Sequence, residues 1–139
     1  MANFDNNWGG FNNDADINSV VIDVPDPGAD MDITVFRFPV AGRLRGAYAV
    51  PRATLAAGTT NHYQVGLTNG GTSGTATTSV ATAAGGTVGW TAQTPKTIAL
   101  TAGSENFAAG EWVVIDYDET GTVAPEFVVQ IDYSLNPTP

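Results

Sequence analysis

Residues 111–133 read EWVVIDYDETGTVAPEFVVQIDY, and the fold turns on how this stretch is read. Phe127, Val129, Ile131 and Tyr133 alternate with Glu126, Val128, Gln130 and Asp132, the two-residue period of a strand with one apolar face. Residues 112–117 have the same texture. Between the two runs, DETGT at 118–122 is short and polar and supplies Gly121 for a positive φ. The pattern predicts a β-hairpin in which Tyr117 pairs with Val123 and Val113 faces Phe127. In that register Trp112, Val114 and Val128 share the opposite face. A tryptophan and two valines on an outer face require a cover, which is another segment, another subunit or a second core layer within the chain.

Outward from this stretch, strand-like runs recur between turn signals. Residues 18–24 (NSVVIDV) stop at the PDPG of 25–28, and residues 31–38 stop at Pro39. Residues 43–50 are closed by Pro51, with Leu44, Tyr48 and Val50 expected on one face and Arg43 and Arg45 on the other. Residues 62–68 point Tyr63, Val65 and Leu67 inward. The Gly-, Thr- and Ala-rich part at 69–89 opens as a loop, and 75–84 is read as a plain strand. Trp90 is expected in the core, and residues 96–101 form a sixth strand before the final two. About eight short strands and no amphipathic helix predict an all-β, antiparallel sandwich, with two four-stranded sheets in a jelly roll. The sandwich domain spans 17–135, an extended N-terminal arm spans 1–16, and NPTP at 136–139 is a disordered tail.

The arm is rich in Asn and Asp and follows neither period, yet it carries Phe4, Trp8 and Phe11. Large rings in a polar segment are the usual anchors of an extended arm on a partner, or they tuck back onto their own domain.

Composition narrows the function. The chain has 139 residues, enough for one domain that buries roughly two-thirds of its unfolded surface. It has no cysteine, so neither disulfides nor thiolate zinc sites hold it. No apolar run approaches the roughly 20 residues that span a bilayer, and the start lacks a signal-peptide pattern, so synthesis in the cytoplasm and no membrane partner are expected. The net charge is −9, with all fourteen acids in 5–32 and 105–132. Arg37, Arg43, Arg45 and Arg52 cluster between them. These arginines either pair with the acids of neighbouring strands or meet an acidic partner surface. Nucleic acid is excluded as a partner by the overall field and the lack of a basic track.

No catalytic constellation is visible, and no enzyme activity is expected. His62 is the only histidine, and its alternation with Tyr63 places it on the outward face of a strand. Two of the fourteen carboxylates meeting across a cleft is the remaining catalytic arrangement, disfavoured in a small sandwich without lid loops. Asp26, Asp30 and Asp32 are spaced as metal ligands sometimes are. Pro27 and the lack of a Glu at the twelfth place break the calcium-loop pattern, and these acids are read as solvated turn and strand-edge residues. No metal and no cofactor are therefore expected.

The combination of RLRGAYAV at 43–50, AGTTNHY at 57–63, the Gly/Thr/Ala-rich middle, FAAGEWVVIDYDETGT at 107–122 and VQIDY at 129–133 resembles small structural proteins of tailed bacteriophages. In particular it is similar to jelly-roll capsid decoration, or cement, proteins. That resemblance covers about 43–133 and implies a homo-oligomer, a trimer, on the capsid exterior at junctions of the major capsid protein, stabilising the shell. It carries over no catalytic residue. The partner-binding candidates are then Phe4, Trp8 and Phe11 of the arm, Arg37, Arg43, Arg45 and Arg52, and the Trp112, Val114 and Val128 face. The alternative is a carbohydrate- or receptor-binding sandwich, such as a phage fibre tip, in which Trp8, Trp90, Trp112 and the tyrosines stack on sugar rings.

Overall fold

The computed structural model describes residues 17–135. Their strands are β1 (Asn18–Val24), β2 (Met31–Arg37), β3 (Gly42–Pro51), β4 (His62–Asn69), β5 (Thr78–Ser79), β6 (Ala81–Thr82), β7 (Ala84–Gly85), β8 (Lys96–Thr97), β9 (Ala99–Leu100), β10 (Asn106–Phe107), β11 (Trp112–Thr120) and β12 (Phe127–Leu135). The helical content of these residues is a single 3-10 turn at Gly86–Val88. The first sheet runs β1-β12-β3-β10 with β8 also on β3, the second runs β2-β11-β4-β5 with β7 also on β4, and β6 pairs with β9. Every pairing is antiparallel. The long strands β1 to β4 alternate between the two sheets, and β11 and β12 enter between strands already placed. That order is the double Greek key of a jelly roll, as expected for an all-β antiparallel sandwich.

The expected hairpin of 111–133 is not formed. β11 is bonded to β2 on one side and β4 on the other, and β12 to β1 and β3, so the two strands lie in opposite sheets. Val113 accordingly sits level with Phe36 and Asn69, and Val129, not Val113, continues the row of Phe127. The physical reason is that an alternating pattern identifies a buried face but not the neighbour along the strand edge. Two apolar faces meet across a sandwich as readily as they share one sheet. Tyr117 and Phe127 make that contact, ring on ring, with centroids 5.8 Å apart and planes 15° from parallel.

The core fills the space between the sheets. Phe38, Ala47, Ala49, Val65, Val113, Ile115, Tyr117, Phe127, Val129 and Ile131 are completely buried. Burying each of the larger side chains contributes about 1.5–3 kcal/mol. Tyr63 is the centre of an aromatic stack, 4.8 Å from Trp90 and 5.8 Å from Phe127. The Trp90 indole Nε1 donates to the Tyr63 carbonyl at 3.0 Å, so the ring is buried without an orphaned donor. Gly85, at φ 94°, lies flat against the Trp90 ring, where any side chain would collide with the indole.

Two further expectations are corrected. In β3 the buried apolar side chains between its end residues are Leu44, Ala47 and Ala49, while Tyr48 and Val50 are half-buried on the outside. A register shift opposite Asp132 and Tyr133 inserts a residue and reverses the facing of the second half of the strand. Residues 75–84 are not one strand. They break into short pieces around Val80, whose buried side chain ties the segment to the core.

Candidate functional site

Phe4, Trp8 and Phe11 fall outside the described residues. The four arginines divide between the sheets. Arg43 and Arg45 lie in β3 and Arg52 follows it, while Arg37 ends β2 in the other sheet. Arg43 donates to Glu105 at 2.8 Å, Arg52 pairs with Asp23 at 2.6 Å, and the Arg45 Nε donates to the Ser134 hydroxyl at 3.0 Å. Three of the four therefore have partners within their own domain.

Glu105 has its carboxyl held below the usual carboxylate range. Hydrogen bonding from its own backbone N–H is the largest cause, and burial, which pushes the other way, is outweighed with help from Arg43 and the Gly103 N–H. Arg52 is raised by Asp23.

Trp112, Val114 and Val128 do not share a face. The first two belong to β11 in the second sheet, and Val128 belongs to β12 in the first. Val114 is 1% exposed because a segment of the same chain lies over it. The Gly70 N–H bonds to the Trp112 carbonyl at 2.9 Å and the Trp112 N–H bonds to the Gly71 carbonyl at 3.0 Å. Gly70 and Gly74 in this segment have close neighbours: a Cβ on Gly70 would press on Val114 at 2.7 Å, and one on Gly74 would touch the Trp112 ring at 3.5 Å. His62, expected outside, is half-buried, and its Nδ1 is enclosed without a partner.

The most distinctive surface is one that none of these candidates marked. On the outer face of the second sheet, Asp32 in β2 stands directly opposite Asp116 in β11. Asp30 and Asp118 lie two positions farther along the same two segments, past the Met31–Tyr117 pair. All four line one cavity of about 290 Å³, together with Met31, Tyr117, Thr68, Thr77 and Ser79. β-Pairing places Gly66 on the other side of Asp116, and the Ala83 side chain lies over that glycine, 3.4 Å from where a Cβ would stand. Asp30 accepts the Glu119 N–H at 2.8 Å, and Asp118 accepts from the Gln64 amide at 3.0 Å. Burial pushes the Asp116 carboxyl up from its ordinary value, and the charges of Asp118, Asp32 and Asp30 push it further in the same direction. Thr68 is 3% exposed, and its hydroxyl oxygen has no hydrogen-bond partner. Among the described residues no three acidic or histidine side chains are grouped so as to hold one metal ion.

The signal for this cluster was present as two D-x-D pairs, 30–32 and 116–118, each spaced to share a strand face. Their meeting depends on the pairing of β2 with β11, which the hairpin expectation had assigned elsewhere.

Among the described residues, Trp90 and Tyr63 are 2% exposed and Tyr117 is fully buried, while Trp112, against Gly74, and Tyr48 and Tyr133 are half-buried. No family model, no curated protein and no solved structure matches this chain.

Proposed function

We propose that this chain is a structural virion protein, a decoration or cement protein that binds the exterior of a bacteriophage capsid and stabilises the shell. The supporting observation is what the jelly roll does with its aromatic rings. Jelly rolls serve both viral capsids and lectins, and this one turns Tyr63, Trp90, Tyr117 and Phe127 into its core, away from any sugar. What remains outside is a firm β surface with charge distributed unevenly between its two sheets, which suits docking onto protein. The sequence resemblance to cement proteins points the same way.

In this reading the protein acts as a homo-oligomer, a trimer, at junctions of the major capsid protein. Each contact is of modest size, about 800 Å² per partner. Binding the assembled shell and not free subunits shifts the equilibrium toward the shell by mass action. The rings Phe4, Trp8 and Phe11 supply anchors for such contacts.

The test is cosedimentation of the purified protein with expanded phage heads, scored by copy ratio, followed by heating of decorated and bare heads. Saturable binding and a raised disruption temperature are expected. A protein that stays in the supernatant at all ratios overturns the proposal.

A further inference from the structure

The acidic cavity on the second sheet sets like charges together at a cost to the domain, although Asp30 and Asp118 each accept one hydrogen bond within it. Like charges directly opposite on neighbouring strands oppose pairing, and Asp32 and Asp116 are placed so, with Asp30 and Asp118 beside them. Among the described residues the Asp32 and Asp116 carboxylates have no hydrogen-bond or ion-pair partner, while their backbones are paired in the sheet. The chain has five basic residues. Arg43, Arg45 and Arg52 are engaged on the first sheet, and the Lys96 ammonium sits 5.6 Å from the Trp90 ring. Arg37 shares β2 with Asp32 but lies five residues along it, roughly 16 Å away at the strand rise.

A second observation points to a ligand. The Thr68 hydroxyl oxygen is buried and unpartnered, and its residue lines this same cavity. Buried polar groups are nearly always satisfied, and this one lies beside the carboxylates, on the strand that flanks Asp116.

The geometry also selects the kind of cation. A calcium or magnesium ion requires its oxygens about 2.0–2.6 Å from a single point. These carboxylates are spread over two rungs of a ladder and do not converge. A guanidinium or an ammonium presents several N–H donors over a wider span and takes carboxylates from different sides. We propose that the cavity formed by Asp30, Asp32, Asp116, Asp118 and Thr68 is the docking point for an arginine or lysine side chain of the partner protein. The identity of that partner as a capsid subunit rests on the function proposed above. The cavity's preference for a basic side chain does not.

The experiment has two arms, both on the full chain. In the first, an acetylated and amidated tetra-arginine peptide is titrated into the protein and followed by backbone amide shifts. The variant carries Asp32→Asn and Asp116→Asn together, with unchanged β circular dichroism as the folding control. Saturable shifts centred on Asp32, Thr68, Asp116 and Asp118 are expected, weakened by about tenfold or more in the variant, as loss of a charge-assisted contact requires. In the second arm, wild type and variant are compared in cosedimentation with heads, and a similar loss is expected.

If the peptide leaves these residues unmoved while calcium chloride shifts them, the site is a metal site and the inference is overturned. It is equally overturned if self-association of the wild type is what the variant loses, because the occupant is then a second copy. A variant that binds heads as wild type does overturns the docking role while leaving the cement proposal standing. A wild type that ignores heads yet binds the peptide at the cavity overturns the cement proposal and upholds the basic-side-chain site.

Discussion

The two sheets treat their surface acids differently. On the first, Asp23 is paired with Arg52, Glu105 with Arg43, and Asp132 accepts from the Ser19 hydroxyl at 2.6 Å and the Gln130 amide at 2.9 Å. On the second, Asp30, Asp32, Asp116 and Asp118 face one another with no basic side chain among their described neighbours. On the first face these acids have partners within the domain. On the second, no basic side chain among the described residues compensates the charge. Four of the chain's fourteen acids meet here, where the pairing of β2 with β11 brings Asp32 and Asp116 together.

That contrast can be broken or sharpened by substitution. The largest effect is expected from Phe127→Ala, because this fully buried ring packs against Tyr63 and Tyr117 from the opposite sheet. Loss of about 3–5 kcal/mol in denaturant unfolding is expected, in one cooperative transition, since both faces depend on the same core. Two separate transitions would mean that the sheets are independent units.

Glu105→Ala comes next. It acts on the first face by removing the acceptor of the Arg43 guanidinium, and a loss of about 1–2 kcal/mol is expected, limited by the partial exposure of Arg43. The pH dependence follows from the lowered carboxyl. Its stabilising contribution is complete above the unfolded carboxylate range and is lost as pH falls through the folded value. The difference between wild type and Glu105→Ala should therefore shrink in acid.

Asp116→Asn acts on the second face and has the opposite sign. Removing one charge from the array should stabilise the protein at neutral pH by about 0.2–1 kcal/mol. The Asp116 carboxyl is raised in the folded state, so the folded protein binds a proton more readily than the unfolded chain there. Wild-type stability at this site thus recovers as pH falls toward the raised value, and the advantage of the variant over wild type should fade over the same interval. Thermal melts of both proteins across that range provide the check. A variant less stable than wild type at neutral pH would show that Asp116 has a stabilising partner.

The smallest effect is expected from Arg52→Ala. Its pair with Asp23 is exposed on both sides, and no measurable change in melting temperature is expected.

Much of this architecture was legible in the residues. The alternation in 62–68 correctly placed Tyr63, Val65 and Leu67 in the core, and Trp90 is buried as its surroundings implied. The all-β sandwich class followed from short strands between turn signals, but the expected eight strands in two four-stranded sheets are twelve among the described residues, in two five-stranded sheets and a two-stranded one, because the 69–107 region adds short strands that periodicity did not show. What periodicity did not carry was the partner of each strand. The expected hairpin conflicted with the expected jelly roll, because consecutive strands of a jelly roll alternate between sheets, and topology was the better guide. The same omission hid the candidate site. Asp32 and Asp116 are 84 positions apart in sequence and become neighbours only through the β2–β11 register. Arg43, Arg45 and Arg52 stood out by composition, and pairing with acids of neighbouring strands was one of the two expected outcomes, but the particular partners Glu105, Ser134 and Asp23, 62, 89 and 29 positions away, were not legible. The bulge in β3 was likewise silent, since an inserted residue reverses facing without altering composition.

The position of β12 also governs how the chain reaches its fold. This strand is the last of the domain along the chain, yet it lies in the interior of its sheet, bonded to β1 and β3. During synthesis β1 and β3 emerge first and have no common neighbour until residues 127–135 leave the ribosome. Until then both expose apolar edges, and folding waits for contacts between the two ends of the domain. Such non-local closure places refolding in the range of milliseconds to seconds. A ribosome-bound chain stopped before Phe127 should be as protease-sensitive as an unfolded one, and release of the final strand should confer resistance in a single step.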